Sequence, residues 1–506
     1  MKTSSHYTLA LALCAALLSV GTSSCKTELL NPIPTTLYPE DVVFDTPARV
    51  ALQVNNLYGY VKTGNFMGGR YQIYGDIRAN DFLNRTSNSV TALGVWNHTL
   101  TETSQNDVIN LWASGYAAIN QINVFLAGLD ANAAKLSTTP FPADYATTTA
   151  VNYRAEARLL RALSYYALLQ FYARPYADGG GSKPGLPLRL LAETNDENND
   201  LARSTVAQIY EQILADLNYA EQNLPKSYVA TDVSPAGFLN VTRAHRHTAI
   251  ALKTRVYLTM GRYNDVITEA DKIVSSSAPF KAPAANGVAH ELNPSVAAVF
   301  ALPQETLENI LGFPFTAQNA PGTQNQLAYY YLPTTQGGNG EYGLNTSAGS
   351  TLASPAFAAT DARRTNFVTI VGGTSYLRKY ATGTPYTDKA PVIRYAEVLL
   401  SLAEARFRTK GNTDVQALAL LNAVRQRSNA TGGYTSFATA DAAVDAVLLE
   451  RRIEFLGEGI RNIDIMRLNA TIPGKGSISE VKPSDVLYVW PIPAPELAVN
   501  RLMVRN

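Results

Sequence analysis

The sequence predicts a mostly α-helical protein in which helical hairpins pack against an irregular, loop-rich region with short strands. Three observations predict it. Apolar residues recur at helical spacing in several segments that end in Gly or Pro. Small residues and a turn glycine punctuate two of those segments as they do in helix pairs. Between them run long stretches rich in Gly, Pro, Asn, Thr and Tyr with no sustained period.

The chain opens on the apolar run Tyr7 to Val20, with Lys2 ahead of it and Gly21, Thr22, Ser23 and Ser24 behind. That is a secretory signal over residues 1–24, too short for a comfortable spanning helix. Ser23 and Ser24 precede Cys25 as small residues precede a lipidated cysteine, although Thr22 stands where such signals usually carry Leu. Cys14 would leave with the leader, so Cys25 becomes the single thiol of the mature chain and no internal disulfide is expected. Cys25 is expected to carry lipid, with residues 26–39 as a polar tether. No second long apolar run follows.

An early helix is expected near Pro47 to Tyr60, in a stretch from about Asn31 to Val95 that is otherwise loop-rich. In Tyr153 to Tyr176, Ala155, Leu159, Ala162, Leu163, Tyr166 and Leu169 fall on one helical face, and Pro175 stops the helix. The next segment opens with Thr205 and Gln208 at capping-box spacing, buries Val206, Ile209, Tyr210, Ile213 and Leu217, and ends at Pro225. Ala249, Ala251, Gly261, Tyr263 and Ala270 then follow the pattern of a tetratricopeptide helical pair: small residues allow close approach and the glycine turns the chain. Arg394 to Ser428 repeats the design around Gly411, with Ala417, Leu420, Leu421 and Val424 behind it. About four such pairs without a strict period make a degenerate solenoid. Residues 276–390 read as loops with short strands.

The 506 residues include 42 basic and 41 acidic ones, and loss of Lys2 with the leader balances them, which argues against nucleic acid as a partner. The 28 Tyr suit adhesive, wet surfaces as well as cores. Gly338 to Gly343 fits a dinucleotide fingerprint by letter only, since no helix opens after it. Asp178 to Pro187 places Pro184 where a phosphate loop needs Ser or Thr, and reads as a turn after a helix. Asn195 to Asp200 offers oxygens for a structural Ca²⁺ but lacks the glycine and distal glutamate of such loops, so no cofactor is expected. On a helix, His245 and His247 would point to separate faces, and His98 and His290 have no His or Cys neighbours in sequence, so no metal site is expected. Glu450, Glu454 and Glu458 are interleaved with Arg451, Arg452 and Arg461, which suits a structural ion network better than a general acid. No catalytic residue is expected.

Five motifs, in order, then carry a resemblance. "RAEARLLRALSYYALLQFYARPY", "RSTVAQIYEQILADLNYAEQNLP", "KYATGTPYTDKAPVIRYAEVLLSLAEARFRTKGN", "LLERRIEFLGEGIRNIDIMRL" and "VWPIPAPELAVN" resemble the SusD/RagB family of Bacteroidetes surface lipoproteins. The resemblance implies one nutrient-binding domain over 25–506, non-catalytic, lipid-anchored at the outer face of the outer membrane and paired with a SusC-like TonB-dependent transporter. It also implies four tetratricopeptide-like pairs. SusD-like members bind glycans by stacking aromatic side chains on sugar rings, whereas RagB-like members take peptides. Tyr74, Asp76, Arg78, Asn80, Asp81, Trp96 and Asn97 are the first group of candidate ligand-binding residues, and Tyr329, Tyr330, Tyr331 and Tyr342 the second. Packing of strand tyrosines into the core or a sheet edge is the competing reading for each. A surface glycoside hydrolase and a protein-binding scaffold are the rivals from other classes.

Overall fold

The computed structural model describes residues 42–232 and 234–506; the signal over 1–24, Cys25 and the tether over 26–39 lie outside them. In chain order the helices are α1 (Pro47–Val61), α2 (Arg70–Ile77), α3 (Leu93–Asn97), α4 (Asn110–Ala131), α5 (Thr149–Tyr172) and α6 (Val206–Asn223). Then come α7 (Ala236–Thr242), α8 (Arg246–Thr259), α9 (Tyr263–Ala270), α10 (Val296–Phe300), α11 (Leu327–Tyr331) and α12 (Ala362–Phe367). The last are α13 (Tyr395–Lys410), α14 (Val415–Ser428), α15 (Ala440–Glu454), α16 (Ile460–Arg467) and α17 (Ala494–Val499).

The frame is a succession of packed helices: α4 on α5, α5 on α6, α6 on α8, α8 on α9, α9 on α13, and α13 on both α14 and α15. This is the tetratricopeptide-like arrangement the sequence implies. Helix α1 starts where Thr46 accepts the Arg49 amide and Pro47 needs no partner, and it lies across α4 and α5. The capping box of Thr205 and Gln208 forms as expected, and Val206, Ile209, Tyr210, Ile213 and Leu217 are buried. Gly261 (φ +70°) and Gly411 (φ +87°) end their helices in backbone conformations that a side chain would strain. Helix α5 departs from expectation: from Ala155 to Tyr172 it is buried nearly all round, not along one stripe, because α1, α4, α6, α8 and α16 all pack on it. Arg161 crosses that junction, donating to both carboxylate oxygens of Asp216 on α6 at 2.8 Å and to Asn123 on α4 at 2.8 Å.

The loop-rich half contributes two-stranded sheets only, pairing β1 (Phe82–Asn84) with β5 (Tyr342–Leu344), β2 (Pro184–Pro187) with β3 (Arg203–Thr205), β4 (Asn309–Phe313) with β8 (Ala390–Arg394), and β6 (Val368–Val371) with β7 (Thr374–Leu377). All are antiparallel. Gly338 to Gly343 is loop running into β5, and Asp178 to Ser182 is turn before β2. In the acidic loop, Asp200 pairs with Arg501 at 2.9 Å and Asn199 Nδ2 donates to Val499 O at 2.6 Å, so it fastens the C-terminal segment.

A buried ion network joins the two halves. Glu450, Glu454 and Glu458 belong to it, as expected, but their partners come from elsewhere. Arg363 Nη1 donates to Glu450 at 2.5 Å and Glu454 at 3.0 Å, Arg425 to Glu450 at 2.9 Å, and Arg427 to Glu454 at 2.5 Å and Glu308 at 2.6 Å. Arg394 bridges Glu308, Glu454 and Glu458, and Lys379 reaches Glu458 at 2.9 Å. The neighbouring arginines face away, Arg451 to Asp464 and Arg452 to Asp81, because adjacent residues on a helix project about 100° apart.

The histidines correct the sequence reading. His245 is the residue before α8, in extended backbone (φ −127°, ψ 176°), so helical spacing does not separate it from His247. His290 folds in from the loop region, and the three buried rings lie with centroids 5.2, 5.7 and 6.1 Å apart. Burial first, and for His245 and His290 mutual repulsion as well, hold the ring pKa values below the ordinary 6.5, His290 at about 3. The unfolded chain therefore binds more protons than the folded one below about pH 6.5.

Two outcomes are expected. Arg394→Met, which leaves three buried carboxylates short of counter-charge, lowers the unfolding free energy by about 3–5 kcal/mol in urea titrations. The histidine contribution is full above pH 6.5 and falls by up to about 1.4 kcal/mol per pH unit for each histidine as pH drops from 6.5 to 5, offset in part by Asp107 and Asp388, whose carboxyls burial raises to about 6. His290→Phe flattens that part of the curve.

Candidate functional site

A concavity of about 810 Å³ lies where α1, the first turns of α5, the segment 225–243 and the exit of β4 meet. Helix periodicity builds two of its walls. Ala51, Asn55, Tyr58 and Lys62 fall on one face of α1 and its C-cap, and Thr149, Asn152, Tyr153 and Glu156 on one face of α5. Tyr228, Phe238 and Arg243 supply the third wall, Phe313 and Asn319 the far end.

Its fixed centre is Glu156, which is 1% exposed. It accepts from Tyr58 Oη at 2.6 Å and from Arg243 Nε and Nη2 at 2.7–3.0 Å. The Arg243 guanidinium in turn stands 5.6–5.8 Å from the ring centres of Tyr58, Tyr153 and Tyr228. Tyr58 Oη accepts the Ala244 amide at 2.8 Å and Tyr228 Oη donates to Ala244 O at 2.8 Å, so the 225–243 wall is pinned to α1. Burial, then the nearby Glu156, pushes the Tyr58 hydroxyl well above its ordinary pKa and keeps it a donor. Burial raises Glu156 despite Arg243. Lys62 Nζ donates to Pro314 O at 2.8 Å, fastening the β4 exit, and burial lowers its pKa. Around this rigid centre, Tyr153, Tyr228 and Phe238 stay half-buried, while Asn55 and Asn319 are exposed. The combination offers flat apolar faces beside amide groups and a fixed charge pair.

None of the residues singled out from sequence lines this cleft. Most are interior. Tyr74 donates to Asp107 at 2.9 Å, Asp76 accepts the Gly459 amide at 2.8 Å, Arg78 donates to Asn462, Asn80 donates to Gly349 O at 3.0 Å, and Asp81 pairs with Arg452 at 2.6 Å. The reason is that α2 is buried along its whole length: a Cβ on Gly75 would stand 2.4 Å from Gly459 O, so α2 meets the start of α16 without space. Tyr330, Tyr331 and Tyr342 are also wholly buried, their hydroxyls donating to Gln324 O, Asp76 and Thr91 O. Tyr329 to Tyr331 sit on the short helix α11, not on a strand. Only Trp96, Asn97 and Tyr329 keep partial exposure. Trp96 Nε1 donates to Phe82 O at 3.0 Å and its ring lies against Lys475 and Gly476, whereas Tyr329 packs edge-on to Tyr386 at 6.2 Å. The sequence signal that could have found the cleft is the polar and aromatic stripe Thr149, Asn152, Tyr153, Glu156 in the first turns of α5.

Fold and cleft together define a protein with a helical-hairpin frame that carries a large aromatic-lined cleft. Two family models match the chain, the SusD family over residues 329–506 and a family described as starch-binding and associating with the outer membrane over 34–258. A SusD superfamily protein from Bacteroides fragilis is 31% identical, with a TM-score of 0.77 over 91% of this chain and 99% of that one. SusD-like protein P2 of Formosa agariphila is 23% identical over 94% of this chain and 95% of its own length. The surface glycan-binding protein A of Bacteroides uniformis shares the fold, with 21% identity and a TM-score of 0.69 over 91% of this chain and 99% of that one. The chain belongs to the SusD/RagB family.

Removing the centre should be costly and trimming the rim cheap. Arg243→Met is expected to destabilise by about 3 kcal/mol or more, since Glu156 loses its counter-charge. Asn152→Ala should change unfolding by no more than about 0.5 kcal/mol.

Proposed function

We propose that this protein captures oligosaccharide or polysaccharide at the cell surface and passes it to a SusC-like TonB-dependent outer-membrane transporter. Lipid on Cys25 would hold it at that membrane. The observation that carries the reading is the 810 Å³ cleft, in which Tyr153, Tyr228 and Phe238 offer half-exposed rings around the fixed Arg243 and Glu156 pair. Sugar rings present apolar faces that stack on such side chains and hydroxyls that bond amides such as Asn55, Asn152 and Asn319. The cleft's volume falls within the usual range for small-ligand sites, roughly 300–1,000 Å³. The family description of starch binding and the glycan-binding name of the Bacteroides uniformis relative support the same class of ligand.

Capture suits this site better than hydrolysis. A glycosidase places two carboxyl groups across the scissile bond, one of them free to donate a proton. Among the residues lining the cleft, Glu156 is the single carboxylate, and Arg243 and Tyr58 occupy its oxygens.

Calorimetric titration of the purified protein against a panel of oligosaccharides and oligopeptides tests the reading. Saturable binding to at least one glycan is expected, with Tyr228→Ala and Tyr153→Ala each weakening it by about tenfold, equivalent to about 1.4 kcal/mol, and Trp96→Ala leaving it unchanged. Saturable binding confined to peptides would place the protein with the RagB-like members, and release of reducing sugar would make it an enzyme.

A further inference from the structure

A second polar site lies apart from the cleft and shares no residue with it. Of the nine arginines buried among the described residues, eight have a carboxylate oxygen within 4 Å. Arg78 is the exception. It is 1% exposed, and its guanidinium donates to the neutral acceptors Asn462 Oδ1 and Tyr488 O, each at 2.8 Å. A second buried cation stands next to it. Lys475 is 3% exposed, donates to Arg78 O at 2.6 Å, lies 3.3 Å from His98 Nε2, and has no ion pair among the described residues either.

A protonated Lys475 can only donate, so Nε2 of His98 then accepts and the neutral ring carries its proton on Nδ1, which adds an N–H donor to the same region. Arg78 and His98 both face a small cavity whose other walls include Val95, Leu100, Val489 and Trp490. Two positive charges withdrawn from water without a counter-charge are strongly unfavourable. Burial first, and then repulsion within the cluster, lowers His98 to about 3 and Lys475 well below its ordinary value; burial lowers Arg78 to about 10. No carboxylate acts on any of the three.

The cavity volume, about 20 Å³, chooses among anions. So small a space suits a small anion better than a sugar carboxylate with its substituents. We propose that this cavity binds a halide ion, chloride in the natural setting, held by the Arg78 guanidinium and His98 Nδ1–H with Lys475 supplying charge from behind the imidazole. The bound ion would offset one of the two charges where β1, α3, α16 and the 475–491 segment meet.

Crystals of the wild-type protein soaked in sodium bromide, measured at the bromine absorption edge, test the site directly. An anomalous peak between Arg78 and His98 is expected; peaks only elsewhere, or none, overturn the proposal. In solution, the melting temperature in sodium chloride or bromide should exceed that in sodium gluconate at the same ionic strength. His98→Phe, which removes the Nδ1 donor and keeps an aromatic ring, should abolish that difference. Equal melting temperatures in the three salts, or a His98→Phe protein that keeps the wild-type difference, would also overturn it.

Discussion

The arrangement of the whole chain rests on the buried carboxylates Glu308, Glu450, Glu454 and Glu458 and on the four arginines and one lysine that surround them. Glu308 comes from the loop beside β4, Arg363 from α12, Arg394 from the end of β8, Arg425 and Arg427 from α14, and Glu450 and Glu454 from α15. No pair of these elements is joined by a short connection except α14 and α15. Charge pairing therefore does what local sequence cannot: it sets the loop-rich half on the helical frame in one position. Burial would push Glu454 toward its neutral form, yet Arg427, Arg394 and Arg363 together hold its pKa well below the ordinary value. The network thus persists as charges, and each member needs the others, because a lone buried ion costs far more than the pair contributes.

The cleft uses the same device on a smaller scale. Arg243 and Glu156 fix the relation of α1, α5 and the 225–243 segment, and the tyrosine hydroxyls around them point inward to that pair or to backbone. What remains toward solvent is ring surface and amide groups. A centre of that kind keeps the cleft open in the absence of ligand, so little of the binding free energy is spent on reorganisation. Specificity then falls to the rim, where Tyr228 and Phe238 belong to a segment with few buried side chains.

Helices were legible because their signals are local. The capping box at Thr205, the apolar spacing in α6 and the turn glycines of the two hairpins each act within a few residues, and each appears where the sequence puts it. The carboxylates of the ion network were legible too, but not their partners, since Arg363 and Arg394 lie 60 to 91 residues away from the glutamates they bind. The burial of most binding candidates was illegible for a related reason. Tyr74, Tyr330, Tyr331 and Tyr342 carry hydroxyls that sequence cannot assign to solvent or interior, and the fold satisfies all four within the protein. His245 and His247 were read as helical neighbours when one of them precedes the helix, and a shift of a single residue at a helix start is enough to undo an argument from angular spacing.

Seen across the molecule, buried charge follows one rule with one local departure. Arg70, Arg161, Arg255 and Arg467 each join two elements by meeting a carboxylate, and in each case the pair replaces the water that either ion gives up. A chain that matches its buried arginines so consistently has no general tolerance for unpaired ones. Arg78 and Lys475 share a region that also holds the depressed imidazole of His98, so neither can relieve the other. Loss of the Lys475 proton would remove one charge but leave Arg78, whose guanidinium, lowered to about 10, stays protonated at neutral pH. Within the protein that guanidinium meets the Phe171 ring at 5.9 Å and neutral acceptors, so the small anion proposed for the cavity would be its one full counter-charge among the described residues.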